Sequence, residues 1–337
     1  MTSSSRNNAS AASAAPNSPL RIVDGRRFWA VLIGIDAYPK DPLRGCVSDA
    51  INFFRFLTKR MSVPPNHIDL LLGTRNATPH PLPGVKCTSA TRTNIVDTLL
   101  SLSTNSQIQY GDNILIYFAG HGAVYRCRDY TEYDFPADQG TIEALCPVDR
   151  NPIASDKDKR IPDICDRELS TILSEICRTR GHHITVILDC CHSAGATRMI
   201  PTPKPEELVR RAEKVDAPYA ITDMFAAGEK RLKELKDGHG VLRYKPISAG
   251  DWTQESKKAY VLLAACKSYG LAKEVPGDGN AYHGVFTQAL LQKLGEAAKV
   301  GELPTYVDLA RHLTQISPDL YPEVNGDHRN MRLWFTV

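Results

Sequence analysis

The sequence predicts an α/β fold in which helices flank a mostly parallel central sheet. Apolar runs of strand length recur along the chain, and such runs are typical of strands buried on both faces of a parallel sheet. Segments with helical spacing of apolar residues alternate with these runs, which favours right-handed strand–helix–strand crossovers. A chain of 337 residues is long enough to bury one sizeable core.

Six apolar runs are predicted as strands and five amphipathic segments as helices. The predicted strands are Arg27–Asp36, His67–Leu72, Asp112–Phe118, Ile184–Leu188, Ala259–Ala265 and Arg332–Val337. The predicted helices are Cys46–Lys59, Thr91–Leu102, Asp166–Cys177, Phe286–Leu294 and Tyr306–Ile316. Thr91 and Asp166 stand at the starts of two helices, where their side-chain oxygens can accept hydrogen bonds from free backbone N–H groups.

Two stretches lack these patterns. Residues 1–24 are mostly Ser, Ala, Asn and Pro, and we expect a disordered N-terminal tail. Residues 196–258 are rich in Pro, Lys, Arg and Glu and have no strong strand signal, so we expect an exposed, mobile insertion. Within it, Glu206–Lys214 and Met224–Lys236 are predicted as short polar helices.

Charge and composition argue against several classes of protein. With 41 basic and 38 acidic side chains, the net charge of +3 gives no reason to expect binding to nucleic acid or to a membrane surface. No apolar run approaches the length of a membrane span, and the N-terminus lacks the apolar stretch of a secretory signal. The nine cysteines contain no Cys-x-x-Cys pair, which favours a reduced protein of the cytoplasm, or alternatively of the nucleus.

A histidine and a cysteine follow two of the predicted strands. His121 lies between two glycines after the third strand, and Cys191 follows the fourth strand. Because sites in open α/β sheets lie at the carboxyl ends of strands, we expect these two side chains to meet. The histidine can accept the thiol proton, the thiolate can attack a carbonyl carbon, and the backbone N–H groups of Gly122 and Cys191 can hold the developing oxyanion.

A metal site is the competing interpretation of this region. Potential ligands are dense here: His182, His183, Cys190, Cys191 and His192. None of them has the paired spacing of a structural zinc site, and adjacent side chains at the end of a strand point apart. Nucleophilic catalysis is therefore the favoured interpretation, and no metal ligand set is predicted.

Seven segments carry a resemblance to a known family. They are AVLIGIDAYPKDPLRGCVSDA (30–50), YFAGHGA (117–123), ALCPVD (144–149), DREL (166–169), ITVILDCCHSAG (184–195), VLLAACKSYGLAKE (261–274) and HGVFTQALL (283–291). Together they resemble the caspase-like cysteine peptidases of the peptidase C14 group, and in particular the type I metacaspases of fungi.

The resemblance implies the caspase–haemoglobinase fold and a Cys–His dyad. Cys191, and not Cys190, matches the nucleophile, while His121 matches the general base. The catalytic domain would span residues 25–337, with a large-subunit-like part at 25–195, a linker at 196–258 and a small-subunit-like part at 259–337.

The resemblance also implies cleavage after Arg or Lys. Asp49, Asp189 and Cys46 match positions that line the specificity pocket, and a pair of carboxylates there suits a guanidinium group. Asp49 can alternatively be explained as an acid that favours the start of a helix. Ala119 departs from the family, which often has Ser at that place.

Calcium activates many relatives, but the corresponding acids are largely replaced here. Asp166 is retained, whereas Ile142, Arg167 and Arg198 stand where Asp residues are common. Calcium requires several oxygen ligands. We therefore expect weak or no dependence on calcium, and no other cofactor.

The leading hypothesis is a monomeric cysteine endopeptidase that cuts protein substrates after Arg or Lys and processes itself within 196–258. Basic residues available for such processing are Arg198, Lys204, Arg210, Arg211, Lys230 and Arg231. An ordinary charged loop is an equally simple interpretation of this segment. The alternatives for the whole protein are a non-catalytic caspase-like interaction module and a different Cys–His hydrolase on the same fold. Cell death, stress handling and protein quality control are all compatible with the family.

Overall fold

A seven-stranded, mostly parallel sheet forms the centre of the molecule in the computed structural model. The model describes residues 23–74, 82, 84–129, 140–191, 204, 206–212, 214–215, 217–239, 247, 257–266, 271–277, 281–317 and 320–336. In chain order the strands are β1 (Phe28–Ile35), β2 (Ile68–Gly73), β3 (Cys87–Ser89), β4 (Asn113–Ala119), β5 (Gly122–Arg126), β6 (Thr141–Leu145), β7 (Ile164–Cys165), β8 (Ile184–Asp189), β9 (Leu208–Val209), β10 (Val261–Ala264), β11 (Lys273–Pro276), β12 (Tyr282–Gly284) and β13 (Glu323–Asn325). The central sheet has the order β13-β10-β8-β4-β1-β2-β3, with only β13 antiparallel to its neighbour.

Helices flank this sheet, and two small antiparallel sheets are added to it. The helices are α1 (Cys46–Arg60), α2 (Arg92–Thr104), α3 (Asp166–Arg180), α4 (Ala220–His239), α5 (Val285–Val300) and α6 (Tyr306–Ile316). One small sheet joins β5, β6 and β7, and the other joins β9, β11 and β12. The predicted fold class is confirmed. None of the helices that the model describes is long and apolar enough to cross a bilayer.

The register of the central strands brings their carboxyl ends to one level. Gly34 at the end of β1 pairs with Ala119 of β4, and Ala119 pairs with Asp189 of β8. The chain therefore leaves β4 and β8 side by side, which places residues 120–122 beside residues 190–191. All eight residues of β1 are buried, as expected for a strand with layers on both faces.

Helix α1 packs unusually close to β1. A Cβ atom at Gly34 would lie 2.5 Å from the carbonyl oxygen of Cys46, so only glycine permits this approach. The contact brings the first turn of α1, including Asp49, toward the carboxyl ends of β1 and β4. The sequence of α1 therefore places a buried carboxylate near the site rather than on the surface.

Several local predictions need correction. Glu206–Lys214 is no helix, because it contains the short strand β9. Leu333–Phe335 is a 3-10 turn and not a strand, since Trp334 has a φ of 54° and is buried against Phe28. Cys165, and not Asp166, caps α3 through its sulfur, whereas the Thr91 cap of α2 is confirmed.

The segment 196–258 is not a simple exposed insertion where the model describes it. Arg210 is fully buried, and α4 contributes Ile221, Met224 and Phe225 to the core. A helix in this part of the chain was predicted, but only as Met224–Lys236 and with a polar surface. Most of the predicted N-terminal tail lies outside the described residues.

Candidate active site

His121 and Cys191 lie at neighbouring strand ends, as the register of β4 and β8 requires. Both residues are almost completely buried. No hydrogen bond joins the thiol to the imidazole among the described residues. The Cys191 sulfur instead accepts a hydrogen bond from Ala272 N at 2.8 Å.

The orientation of His121 is fixed from two sides. Its Nε2 lies 2.6 Å from the carbonyl oxygen of Asp41, and this contact requires a proton on Nε2. Tyr38 holds the backbone, because its hydroxyl accepts from His121 N and donates to Cys146 O, both at 2.9 Å. The Tyr38 ring also packs on the imidazole, with 4.4 Å between centroids.

The remaining imidazole nitrogen is left without a partner. His121 Nδ1 is buried and has no hydrogen bond among the residues described. Burial lowers the pKa of His121 to about 4, although the contact with Asp41 opposes this shift. The imidazole is therefore neutral at pH 7, with Nδ1 as an available base.

An acidic pocket lies beside these two residues and holds a guanidinium group. We define the acidic pocket by Asp49, Asp189 and Glu274, all buried. Arg210 Nη2 lies 2.5 Å from Asp49 and 3.1 Å from Glu274, while Arg210 Nη1 lies 2.6 Å from Asp189. Arg210 Nε donates to Glu274 at 3.2 Å. All three guanidinium nitrogens thus have carboxylate partners.

Neighbouring groups complete the walls of the acidic pocket. A Cβ atom at Gly284 would lie 2.6 Å from both Arg210 and Asp189, so glycine leaves the space that the guanidinium fills. Gly284 N also donates to Asp49 at 2.8 Å. The Cys46 thiol donates to Glu274 at 3.1 Å, so Cys46 lies beside the pocket, and the role in substrate binding that the resemblance implies for it stays a prediction.

The electrostatics of the pocket depend on the bound cation. Burial raises the pKa of Asp49 to about 7, with Arg210 lowering it and Asp189 raising it further. Burial opposes the charged form of the Arg210 side chain, but the charges of Asp189, Asp49 and Glu274 outweigh burial and hold its pKa well above its usual range. Without a cation, the acidic pocket would concentrate negative charge in a buried space.

The backbone of Arg210 is held as closely as its side chain. Its carbonyl oxygen accepts from Cys191 N at 3.0 Å and from Gly122 N at 3.2 Å. These are the two N–H groups that the sequence predicted for an oxyanion hole. Its own N–H donates to Ala272 O at 3.0 Å.

The residues around Arg210 extend this contact in both directions. We call residues 207–212 the Arg210 segment. Before Arg210, β9 pairs antiparallel with β11, so that Val209 lies opposite Lys273. After Arg210, Ala212 N donates to Gly122 O at 2.9 Å. The segment thus lies across the strand ends as an added strand, with main-chain hydrogen bonds on both sides of Arg210.

Two residues of this site were missed by the sequence analysis. Arg210 was one of six candidate basic residues, with nothing to distinguish it from the others. Glu274 closes the quoted segment VLLAACKSYGLAKE, so its position was visible but its role was not.

The family resemblance matched four positions to a calcium site, and the three that the structure describes, 142, 166 and 167, do not fit a calcium ion. Both Asp166 carboxylate oxygens accept backbone N–H groups, from Arg167 at 2.8 Å and from Glu143 at 3.4 Å. Ile142 is buried and apolar, and Arg167 brings a positive charge beside Asp166. At these three positions only Asp166 offers a carboxylate, and both of its oxygens already accept hydrogen bonds, so the positions do not supply the ligand set of a calcium site.

The fold and the paired strand-end residues define a caspase-like α/β protein. A model of the metacaspase, peptidase C14 domain matches residues 29–200, just over half of the chain. This chain belongs to the metacaspase family. Its caspase–haemoglobinase fold, implied by the sequence motifs, is thereby established.

Individual relatives are more distant. Metacaspase-4 of Arabidopsis thaliana is 30% identical over 198 residues, which cover 58% of this chain and 40% of that protein. Metacaspase-1 of Saccharomyces cerevisiae is 29% identical over 173 residues, covering 50% and 34% respectively. The match therefore spans less than half the length of these relatives.

A solved structure supports the fold alone. The crystal structure of protein GSU0716 from Geobacter sulfurreducens aligns with a TM-score of 0.52 and 15% identity, covering 92% of this chain and 99% of that one. This likeness extends beyond the region of the family match to nearly the whole chain.

Proposed function

We propose that this protein is a cysteine endopeptidase that cleaves after Arg or Lys and cuts its own chain between Arg210 and Arg211. The observation that carries the proposal is the position of Arg210. Its side chain fills the acidic pocket while its carbonyl oxygen accepts the N–H groups of Gly122 and Cys191. A peptide carbonyl held by two converging donors is a carbonyl prepared for attack.

In the proposed reaction, His121 Nδ1 takes the proton of the Cys191 thiol, and the thiolate attacks the carbonyl carbon of Arg210. The thiol must first leave Ala272 N, since that contact holds it in the uncut chain. The C–N bond to Arg211 then breaks, His121 returns the proton to the leaving amine, and a thioester forms. Water releases the acyl group with the same histidine as base.

The charge of the pocket accounts for the proposed specificity. Three buried carboxylates favour a cation, and the pattern of their contacts follows the fork of a guanidinium. An aspartate side chain would add a fourth negative charge to the same space. Lysine can enter but has no counterpart of the Nε–H that binds Glu274.

We further propose that the reaction does not need calcium, and that the substrates are proteins or exposed peptide segments with Arg or Lys before the cut bond. Asp166 is the only acid at the four positions that match the calcium site of related proteins. Its carboxylate is satisfied by backbone N–H groups instead.

Self-cleavage and peptide cleavage test the proposal together. Wild-type protein should yield a fragment whose N-terminal residue is Arg211, whereas Cys191→Ala and His121→Ala should stay intact. Arg210→Lys should retain cleavage at this bond, and Arg210→Gln should lose it. Wild type should also release dye from Arg peptides but not from Asp peptides. Identical fragments from wild type and Cys191→Ala would show that another protease cut the chain, and would leave the interaction-module interpretation standing.

A further inference from the structure

A second ion pair holds the Arg210 segment, three residues before Arg210. Glu207 lies 3.1 Å from Lys273 Nζ, and only 9% of each side chain is exposed. The proposed cut follows Arg210, so Glu207 is the fourth residue before the cut bond. Lys273 belongs to β11, the strand on which the segment lies.

The alternation of strands explains why one segment meets charges of both signs. Lys273 pairs with Val209, so its side chain lies on the same face as Val209 and Glu207. The next residue, Glu274, points to the opposite face, where it binds Arg210. Adjacent residues of β11 therefore contact two different residues of the segment.

The Glu207 carboxylate is held in its charged form. Burial alone would raise its pKa, but hydrogen bonds from Lys204 N and from Lys273 outweigh burial and lower it. Because little of either side chain is exposed, the attraction between Glu207 and Lys273 is screened less than that of a fully exposed pair. A neutral or basic residue at this place would leave Lys273 without the carboxylate it contacts here.

We propose that Lys273 selects an acidic residue at the fourth position before the cut bond, so that preferred substrates combine an acid there with Arg or Lys at the cut. This inference rests on the proposed function and adds a second element of specificity to it. The substrate class is then a peptide of the form acid-x-x-basic, with the acidic and basic side chains on opposite faces of the bound strand.

Self-cleavage tests this inference within the intact chain. Glu207→Lys should slow the appearance of the fragment that begins at Arg211 by about tenfold, equivalent to about 1.4 kcal/mol. Adding Lys273→Glu to Glu207→Lys should recover most of the rate, because the pair is restored with its charges exchanged. Glu206→Lys is the matched control, because Glu206 is exposed and the substitution makes the same change of charge one residue away.

Peptides test the same inference without altering the enzyme. Fluorogenic Glu-Leu-Val-Arg, Gln-Leu-Val-Arg and Lys-Leu-Val-Arg substrates should be cleaved by the wild type in that order of kcat/KM. Lys273→Glu should reverse the order, and Lys273→Met should remove the difference. Equal cleavage of the three peptides by wild type, or the same order in Lys273→Met, would overturn the role of Lys273. Absence of cleavage of all three would instead contradict the proposed protease function.

Discussion

The acidic pocket and the neighbouring dyad region, which we define by His121 and Cys191, are both buried but differ in how their polar groups are paired. In the pocket, all three nitrogens of the Arg210 guanidinium contact carboxylates. In the dyad region, His121 Nδ1 has no hydrogen-bond partner among the described residues, and the hydrogen bonds of the Cys191 thiol there are with the backbone of Ala272. The bound cation is fully paired in the pocket, although Asp189 Oδ1 has no hydrogen-bond partner among the described residues. In the other region, burial keeps the imidazole that we propose as the base neutral and available. We infer that specificity is set by paired charges and reactivity by an unpaired base.

Removing the cation from the pocket should have the largest effect. In a Cys191→Ala background, which keeps the chain uncut, Arg210→Gln leaves three buried carboxylates without their guanidinium. Breaking a buried ion pair by removing one partner costs about 3–5 kcal/mol, so the free energy of unfolding should fall by that order. Urea denaturation measures this change.

Arg211→Gln provides the control for that experiment, because Arg211 is exposed and adjacent. It should change the free energy of unfolding by less than about 0.5 kcal/mol. If both variants have the same stability, the guanidinium of Arg210 does not stabilise the pocket, and the comparison between the two regions fails.

The dependence of stability on pH should instead report on His121 in the dyad region. Because the pKa of His121 is lowered to about 4 from an ordinary value of 6.5, the unfolded chain binds more protons between these values. The stability of the folded state should therefore fall as pH decreases from about 6.5 to about 4. The shift corresponds to roughly 3 kcal/mol at its full extent.

Variants separate this effect from general acid denaturation. In the Cys191→Ala background, His121→Gln should lose less stability across this pH range than its parent, whereas His312→Gln at an exposed position should follow the parent. Parallel curves for all three proteins would show that His121 does not titrate as its burial requires.

The sequence allowed much of this comparison to be predicted, but not all of it. Apolar runs located β4 and β8, and their carboxyl ends led to His121 and Cys191. Asp49 and Asp189 followed from the family resemblance, and both lie in the acidic pocket. The fold subdivision into domains, and the catalytic roles themselves, stay predictions.

Arg210 and Glu274 could not be predicted because their positions depend on contacts distant in sequence. Arg210 follows a strand of only two residues, Leu208–Val209, which is too short to produce a hydrophobic period. That strand exists through its pairing with β11, more than sixty residues later. Glu274 lies in a strand of mixed polarity that has the same dependence on its partner. Pairing between strands distant in sequence, rather than local propensity, determines the positions of both side chains.

A variant of Glu274 examines one wall of the pocket. Glu274 accepts from Arg210 Nε and Nη2, and only arginine supplies an Nε–H. Glu274→Gln should therefore lower kcat/KM for Arg peptides by about tenfold, since a hydrogen bond to a charged group contributes about 1.5–3 kcal/mol. The loss for Lys peptides should be smaller, so the Arg-to-Lys ratio should decrease. An unchanged ratio would mean that Glu274 contributes only charge, and Glu206→Gln serves as the control.

Addition of calcium should have the smallest effect on the rate of self-cleavage. Asp166 lies outside both the acidic pocket and the dyad region. Its carboxylate oxygens are occupied by Glu143 N and Arg167 N, and Arg167 already contributes a positive charge nearby. Replacing a chelator with millimolar calcium should change the rate of self-cleavage by less than about twofold, because both oxygens of Asp166, the one acid at the matched positions, already accept hydrogen bonds and calcium needs several free oxygen ligands. Fragment formation followed over time in both buffers measures this. If a chelator abolishes self-cleavage and only calcium restores it, other residues must form a calcium site. Reactivity would then depend on a part of the molecule outside the acidic pocket and the dyad region.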